Sequence, residues 1–163
     1  MTFSRYNEVK GDAWAMWKKG YHLCITTNGT IKNDGAIVTG AGIAQQATEK
    51  FPHFPMAIGQ KVRELGNHVH YYGYRVWSFP VKHEWHQKGD IELIRRSFRQ
   101  LVTLVQVHNI KRIYLPRPGC GNGQLVWEQV KKDLEESVTH MTFRGENRIW
   151  FITDLSVEQG RRI

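Results

Sequence analysis

The chain has 163 residues, 40% of them hydrophobic and 23% charged, which excludes a disordered polypeptide and fits one domain with its own core. No apolar run is long enough to span a bilayer, and Arg5, Glu8, Lys10, Asp12, Lys18 and Lys19 interrupt the first twenty residues, so neither a membrane span nor a signal peptide is expected. The net charge of +8 suits polyanionic partners such as nucleotides and nucleic acid, or serves solubility alone.

The elements follow in chain order. A short opening strand ends at Val9-Lys10-Gly11, and Asp12 stands where it can cap a helix over Ala13-Trp14-Ala15-Met16-Trp17. Residues 21–27 are rich in β-formers and stop at the Asn28-Gly29 turn. Helices are predicted over 43–51 and 54–65, the second carrying Phe54, Ile58, Val62 and Leu65 on one face. Strands over 68–72 and 75–80 flank Gly73. Asp90 caps a helix over 91–108 whose apolar face holds Ile91, Ile94, Phe98, Leu101, Val102 and Val105. A strand over 112–115 runs into Pro116, a helix covers 125–138, and a late strand covers 148–153. This alternation predicts a single α/β domain over 1–163 with a largely parallel sheet. The two cysteines, Cys24 and Cys120, read as free thiols, which suits a reducing compartment such as the cytoplasm.

In such a domain ligands bind beyond the carboxyl ends of the strands, so the loops there come first. Gly40-Ala41-Gly42-Ile43 opens a helix; its glycines either admit a phosphate to backbone N–H groups or simply supply positive φ. Pro118-Gly119-Cys120-Gly121-Asn122-Gly123 joins a strand to a helix, and three glycines in five residues favour an anion nest over a plain turn. It is not a Walker loop, because no Gly-Lys-Ser/Thr follows. Cys120 has no base paired with it in the sequence and reads as a packed thiol. Asp12 after Gly11 suits either a helix cap or an acceptor for a base amino group, and from the residues alone the cap is favoured. Two anion loops suggest a diphosphate ligand. The cations lie in separated groups, Arg95-Arg96 with Arg99, Lys111-Arg112, Lys131-Lys132 and Arg161-Arg162, and none forms a nucleic-acid tail. His68 and His70 share a strand face near His83 and His86, but no cysteine or acidic partner has zinc-site spacing, so no metal is expected. The aromatics Tyr71, Tyr72, Tyr74, Trp77 and Trp85 read as core and cleft wall rather than as a base-stacking platform.

These segments, in this order, resemble the motifs of macrodomains over nearly the whole chain: Val9-Lys10-Gly11-Asp12, Ile25-Thr26-Thr27-Asn28-Gly29, Gly40-Ala41-Gly42-Ile43-Ala44, and Gly119-Cys120-Gly121-Asn122-Gly123 with Leu125 and Trp127. The last motif and Phe79-Pro80-Val81-Lys82 are similar to the branch that holds terminal ADP-ribose glycohydrolase and the DarG antitoxin macrodomain. The resemblance implies a three-layer α/β/α fold with a mixed, largely parallel sheet. It implies that Asp12 and Ala13 receive the adenine, with Ile152 to Asp154 flanking it, and that Asn28 faces the distal ribose. Gly40, Ala41, Gly42 and Ile43 would form one phosphate loop, and Gly119, Cys120, Gly121, Asn122 and Gly123 the other. Lys82 would stand at the anomeric carbon as the catalytic residue. The terminal glycohydrolase has an aspartate where this chain has Gly123, whereas the DarG-like loop shares the glycine, so a lysine–aspartate pair is incomplete here.

The function so implied is ADP-ribose binding with lysine-dependent hydrolysis of ADP-ribose conjugates. Lys82 would act by proton transfer or by forming a Schiff base, with His83 and His86 near enough in sequence to move protons or simply to belong to a polar loop. Alternatives are a phosphatase acting on ADP-ribose 1″-phosphate, a non-catalytic module for ADP-ribose or another NAD-derived ligand, and a nucleic-acid binder. The expected partners are ADP-ribose or an ADP-ribosylated macromolecule, nucleic acid among them, acted on by a monomer that needs no cofactor.

Overall fold

The computed structural model describes residues 6–141 and 147–156. In chain order these form β1 (Tyr6–Gly11), α1 (Ala13–Lys18), β2 (His22–Asn28), α2 (Gly42–Lys50), α3 (Phe54–Leu65), β3 (His70–Gly73), β4 (Val76–Lys82), α4 (Ile91–Val107), β5 (Arg112–Pro116), α5 (Trp127–Ser137) and β6 (Arg148–Asp154). The strands make one sheet in the order β1-β6-β5-β2-β4-β3. Every pairing is parallel except that of β3 with β4. Arg161 and Arg162 lie outside the described residues. Among the described residues, no helix is long and apolar enough to cross a membrane.

Two apolar clusters cover the two faces of the sheet, giving three layers. On one face Ile94, Phe98, Leu101, Val102 and Val105 of α4, with Trp127, Val130 and Leu134 of α5, pack on Phe79, Ile113, Ile149 and Phe151. On the other, Ala13 and Trp14 of α1, Ile43 and Ala47 of α2, and Phe54 and Ile58 of α3 pack on Leu23, Ile25, Val76 and Ile152. Burying one such Leu, Ile or Phe contributes about 1.5–3 kcal/mol. β4 is buried along almost its whole length, as expected of a strand covered on both faces.

Pro80 sits inside β4, a position that normally argues against a strand. Two features admit it. β3 pairs with β4 only as far as Ser78, so no β3 carbonyl awaits a Pro80 N–H. The β2–β4 register also slips beside it: Thr27 pairs with Pro80, and Asn28 pairs with Lys82 rather than Val81. That slip sets Lys82 level with Asn28 at the carboxyl end of the sheet.

Where element ends differ from the sequence expectation, local geometry accounts for it. α5 begins at Trp127 rather than 125, because Gln124 takes φ +64° and the Leu125 N–H donates back to the Gly119 carbonyl at 2.8 Å. α2 ends at Lys50, since Phe51 precedes Pro52 and is turned out of helical geometry. β3 begins at His70; the His68 N–H is instead drawn into a turn with the Gly66 carbonyl at 2.9 Å.

Asp90 caps α4 as the sequence predicts: its Oδ1 accepts from the N–H groups of Glu92 (2.9 Å) and Leu93 (3.4 Å). Its Oδ2 lies 2.9 Å from His83 Nε2. Asp90→Ala is expected to cost about 1 kcal/mol, read as a lower urea midpoint with an unchanged slope.

Candidate functional site

The carboxyl ends of β2, β4, β5 and β6 open into one cleft of about 950 Å³, a volume ordinary for a cofactor-sized ligand. Both glycine-rich loops line it. Lys82, Trp85, Arg117 and Asp154 are among the side chains on its walls. The sheet thus brings together residues more than a hundred positions apart.

The first loop ends in a bare helix start. Ala41 occupies the N-cap of α2 with extended φ −153°, and no side chain caps the helix. Its first-turn N–H groups therefore face the cleft with the positive end of the helix dipole behind them, a ready anion site. Gly42 has φ +63°, the left-handed region that favours glycine, and a Cβ on it would meet Asn122 Nδ2 at 3.4 Å. The two loops therefore face each other across a narrow gap.

In the second loop, the Cys120 N–H donates to Arg117 O (3.3 Å), Gln124 to Gly121 O (3.0 Å) and Leu125 to Gly119 O (2.8 Å). Among the described residues, the N–H groups of Gly121 and Gly123 have no protein acceptor, as a nest for an anion requires. Burial pushes the Cys120 thiol up to about 11, and its Sγ donates to Pro118 O at 3.5 Å. That thiol is protonated near neutrality and is no nucleophile there.

Lys82 Nζ donates to the carbonyls of Trp85 (3.3 Å) and Asn122 (3.4 Å). The amine hangs between the turn after β4 and the second glycine loop. Burial holds its pKa below the ordinary lysine value. The turn after β4 is tied down on several sides. Thr30 Oγ1 donates to Glu84 Oε2 (2.7 Å) and accepts from the Trp85 N–H (2.8 Å), and the Gly89 N–H donates to Gly123 O (2.9 Å). Within it His83 faces Asp90, and the His86 ring packs edge-on against Trp85 at 5.6 Å; neither histidine lines the cleft.

Of the other residues singled out from the sequence, Asn28 lines the cleft beside Lys82. Its Nδ2 donates to Val38 O (3.0 Å) and its Oδ1 accepts from the Thr30 N–H (3.0 Å). Asp12 and Ala13 do not line the cleft. Asp12 Oδ1 caps α1, accepting from Trp14 (2.9 Å) and Ala15 (3.3 Å). The Ala13 N–H donates to Asp154 Oδ1 at 3.1 Å. Asp154 itself reaches the cleft, and its Oδ2 is buried without a protein partner.

Trp85, read from the sequence as core or cleft wall, is 55% exposed and stands at the lip of the cleft. One further wall residue, Arg117, was not singled out from the sequence. Arg117 stacks over Trp127 at 5.2 Å, 3.6 Å from Glu8. Its place immediately after β5 is the signal that was available. Among the described residues, no three His, Cys, Asp or Glu side chains group to hold a metal. Gln100 Nε2 donates to His68 Nδ1 (2.7 Å), and His70 Nε2 lies 2.9 Å from Gly66 O.

Comparison with known proteins meets this geometry. The Macro domain family model matches residues 26–133. Over 63 residues, 39% of the chain, the sequence is 32% identical to a DNA ADP-ribosyl glycohydrolase of Thermus aquaticus, and that stretch is 18% of the relative's length. Among solved structures the fold is similar to the macrodomain of Thermus aquaticus DarG, with a TM-score of 0.72 at 24% identity over 90% of this chain and 97% of that one. It is also similar to the macrodomain of Mycobacterium tuberculosis DarG, with 0.70 at 21% over 92% and 97%. For Thermosipho africanus DarTG in complex with ADP-ribose the values are 0.69 at 19% over 90% and 41%.

Proposed function

The chain belongs to the Macro domain family, and we propose that its cleft binds ADP-ribose and that Lys82 removes ADP-ribose from conjugates. The observation that carries this reading is the Lys82 amine, suspended between the Trp85 and Asn122 carbonyls beside both glycine loops. In the bound state the pyrophosphate lies between the start of α2 and Gly121 to Gly123. The distal ribose reaches Asn28 and Lys82. The adenine lies toward Asp12, Ala13 and Asp154, where the unpartnered Asp154 Oδ2 offers a further acceptor.

Burial favours the neutral amine, and a neutral amine is a nucleophile. The bond between the anomeric carbon and the ring oxygen opens as solvent protonates that oxygen, the amine adds at the anomeric carbon, and the bond to the conjugated group breaks. That group leaves with one amine proton, and water then hydrolyses the Lys82 Schiff base to release ADP-ribose. The single-turnover rate is expected to rise with pH as the amine loses its proton, levelling off with a midpoint below 10.5, the ordinary lysine value. A rate that instead falls as pH rises would assign Lys82 to proton donation from the ammonium. Borohydride trapping of a Lys82 adduct checks the covalent step directly.

DNA carrying ADP-ribose is the first substrate to assay, because the Thermus aquaticus relative is a DNA ADP-ribosyl glycohydrolase. The decisive experiment titrates ADP-ribose calorimetrically beside a cleavage assay on ADP-ribosylated DNA, RNA and protein. Binding with turnover supports the reading. Binding without turnover of any conjugate identifies a reader module, the role that glycine at position 123 favours. Release of phosphate from ADP-ribose 1″-phosphate alone identifies a phosphatase.

A further inference from the structure

Among the described residues only two of the lysines and arginines, Lys82 and Arg117, line the cleft. Part of the positive charge gathers at the other end of the same strands. The cleft meets β2 at Thr26 to Asn28, whereas a second cavity of about 450 Å³ meets it at His22. At about 3.3 Å per residue the two lie roughly 13–20 Å apart along the sheet. The second cavity is walled by His22, Tyr71, Trp77, His108, Lys111 and Arg112.

Its floor is aromatic and fixed. Trp77 is 4% exposed, and its Nε1 donates to His22 Nδ1 at 3.0 Å. That bond leaves the proton of a neutral His22 on Nε2, and burial, Arg75 and His108 all favour the neutral ring. The Tyr71 ring lies 4.5 Å from Trp77, and its hydroxyl accepts from the Arg75 N–H at 3.1 Å. His108, the residue that ends α4, lies 5.6 Å from Trp77. Tyr71 and His108 are both exposed at the cavity wall, beside the buried Trp77.

Its rim is cationic. Among the described residues no Asp or Glu lines the cavity. Lys18, Lys19, Arg75 and Arg148 lie on the same pole as Lys111 and Arg112, and among the described residues none of these six forms an ion pair. Arg112 is held between aromatic faces, 4.6 Å from the Tyr21 centroid and 4.3 Å from that of Trp150. Flat aromatic surface beside cations selects a ligand that is planar and anionic at once. A nucleotide meets both conditions. In a duplex its faces are covered by neighbouring bases, so the matching form is unpaired.

We propose that this pocket binds a nucleotide of a single-stranded nucleic acid, the base against Tyr71 and His108 and its phosphates on Lys111 and Arg112. The site is separate from the ADP-ribose cleft and does not depend on that reading.

Fluorescence anisotropy of a labelled oligothymidylate of about 15 nucleotides, long enough to span one such site, tests it with ADP-ribose present in excess. The expected result is binding that ADP-ribose does not displace. Tyr71→Ala and His108→Ala each weaken it about ten-fold. Lys111→Ala makes the slope of log K against log salt less negative by about 0.7. Unchanged melting temperatures show that these surface variants remain folded. The proposal is overturned if the three variants bind like the parent, if a duplex of equal length binds as well, or if ADP-ribose displaces the strand. Thymidine monophosphate displacing the strand at equal concentration would also overturn it, by making a free nucleotide the ligand.

Discussion

Lys82→Ala is expected to lower the rate of ADP-ribose release from a conjugate by about 10²–10⁴-fold, the range for loss of a positioned proton-transfer or nucleophilic group. Affinity for free ADP-ribose is expected to change little. The phosphate loops, which would supply most of the binding, contact Lys82 only through the Asn122 carbonyl. Alanine removes an ammonium whose two acceptors are backbone carbonyls at the cleft edge, and water can replace it there. The fold is therefore expected to hold, and calorimetry on the variant separates lost chemistry from lost binding. Lys82→Arg sharpens the result. Arginine keeps the charge but stays protonated at all accessible pH, so it is expected to be as slow as alanine if the neutral amine reacts. An arginine variant at near-parental rate would mean that positive charge alone stabilises the departing group. A parental rate in Lys82→Ala would remove the lysine from the chemistry altogether.

The layers of this fold were legible because its pattern is strong. Helical spacing in α3 and α4 and the caps at Asp12 and Asp90 are properties of single segments, and they stand as the spacing predicts except at Leu65, which ends α3 exposed rather than on its buried face. The family, too, is carried by short ordered motifs. What stayed out of reach depends on neighbours that sequence does not display. Pro80 reads as a strand breaker until the early end of β3 and the slipped β2 register are known, and that slip is what sets Lys82 level with Asn28. Trp85 was read as core or cleft wall and does stand on the wall, but how far it is exposed there was not legible. Its exposure rests on a turn stitched by Thr30 and Gly89, which lie 55 residues before it and a few after it. Residue identity likewise gave no sign that the Ala13 N–H is occupied by Asp154, 141 positions away. The positive charge was read as spread out, and along the chain it is. Folding draws Lys18, Lys19, Arg75, Lys111, Arg112 and Arg148 to one pole, because β2, β4, β5 and β6 all start there and α1 ends there.

Gly123→Asp restores the carboxylate that the terminal glycohydrolase carries at this position, and it is expected to harm the site rather than improve it. A Cβ on Gly123 would lie 2.5 Å from Gly119 O, 2.8 Å from its Cα and 2.9 Å from its carbonyl carbon. These are backbone atoms and cannot swing aside. Gly119 is itself pinned: φ is +76°, the Leu125 N–H bonds to its carbonyl, and a Cβ there would meet Ile94 Cδ1 at 2.7 Å and Leu125 Cδ1 at 2.8 Å. Relief must therefore come from moving the loop. Gly123 O holds the Gly89 N–H, and the neighbouring Asn122 O holds Lys82 Nζ, so movement reaches both the turn before α4 and the amine. Overpacking of this kind costs about 1–3 kcal/mol, which for a domain of this length lowers Tm by about 2–4 °C per kcal/mol. ADP-ribose affinity is expected to fall with it, because the Gly121 and Gly123 N–H groups lose their convergence. Gly123→Ala separates the causes, since it adds the same Cβ without the charge and is expected to lose nearly as much stability and affinity. A Gly123→Asp variant that melts at the parental temperature and cleaves faster would show that the loop opens to admit a side chain. A variant that loses both shows that the loop has no room for a carboxylate at this position beside Lys82.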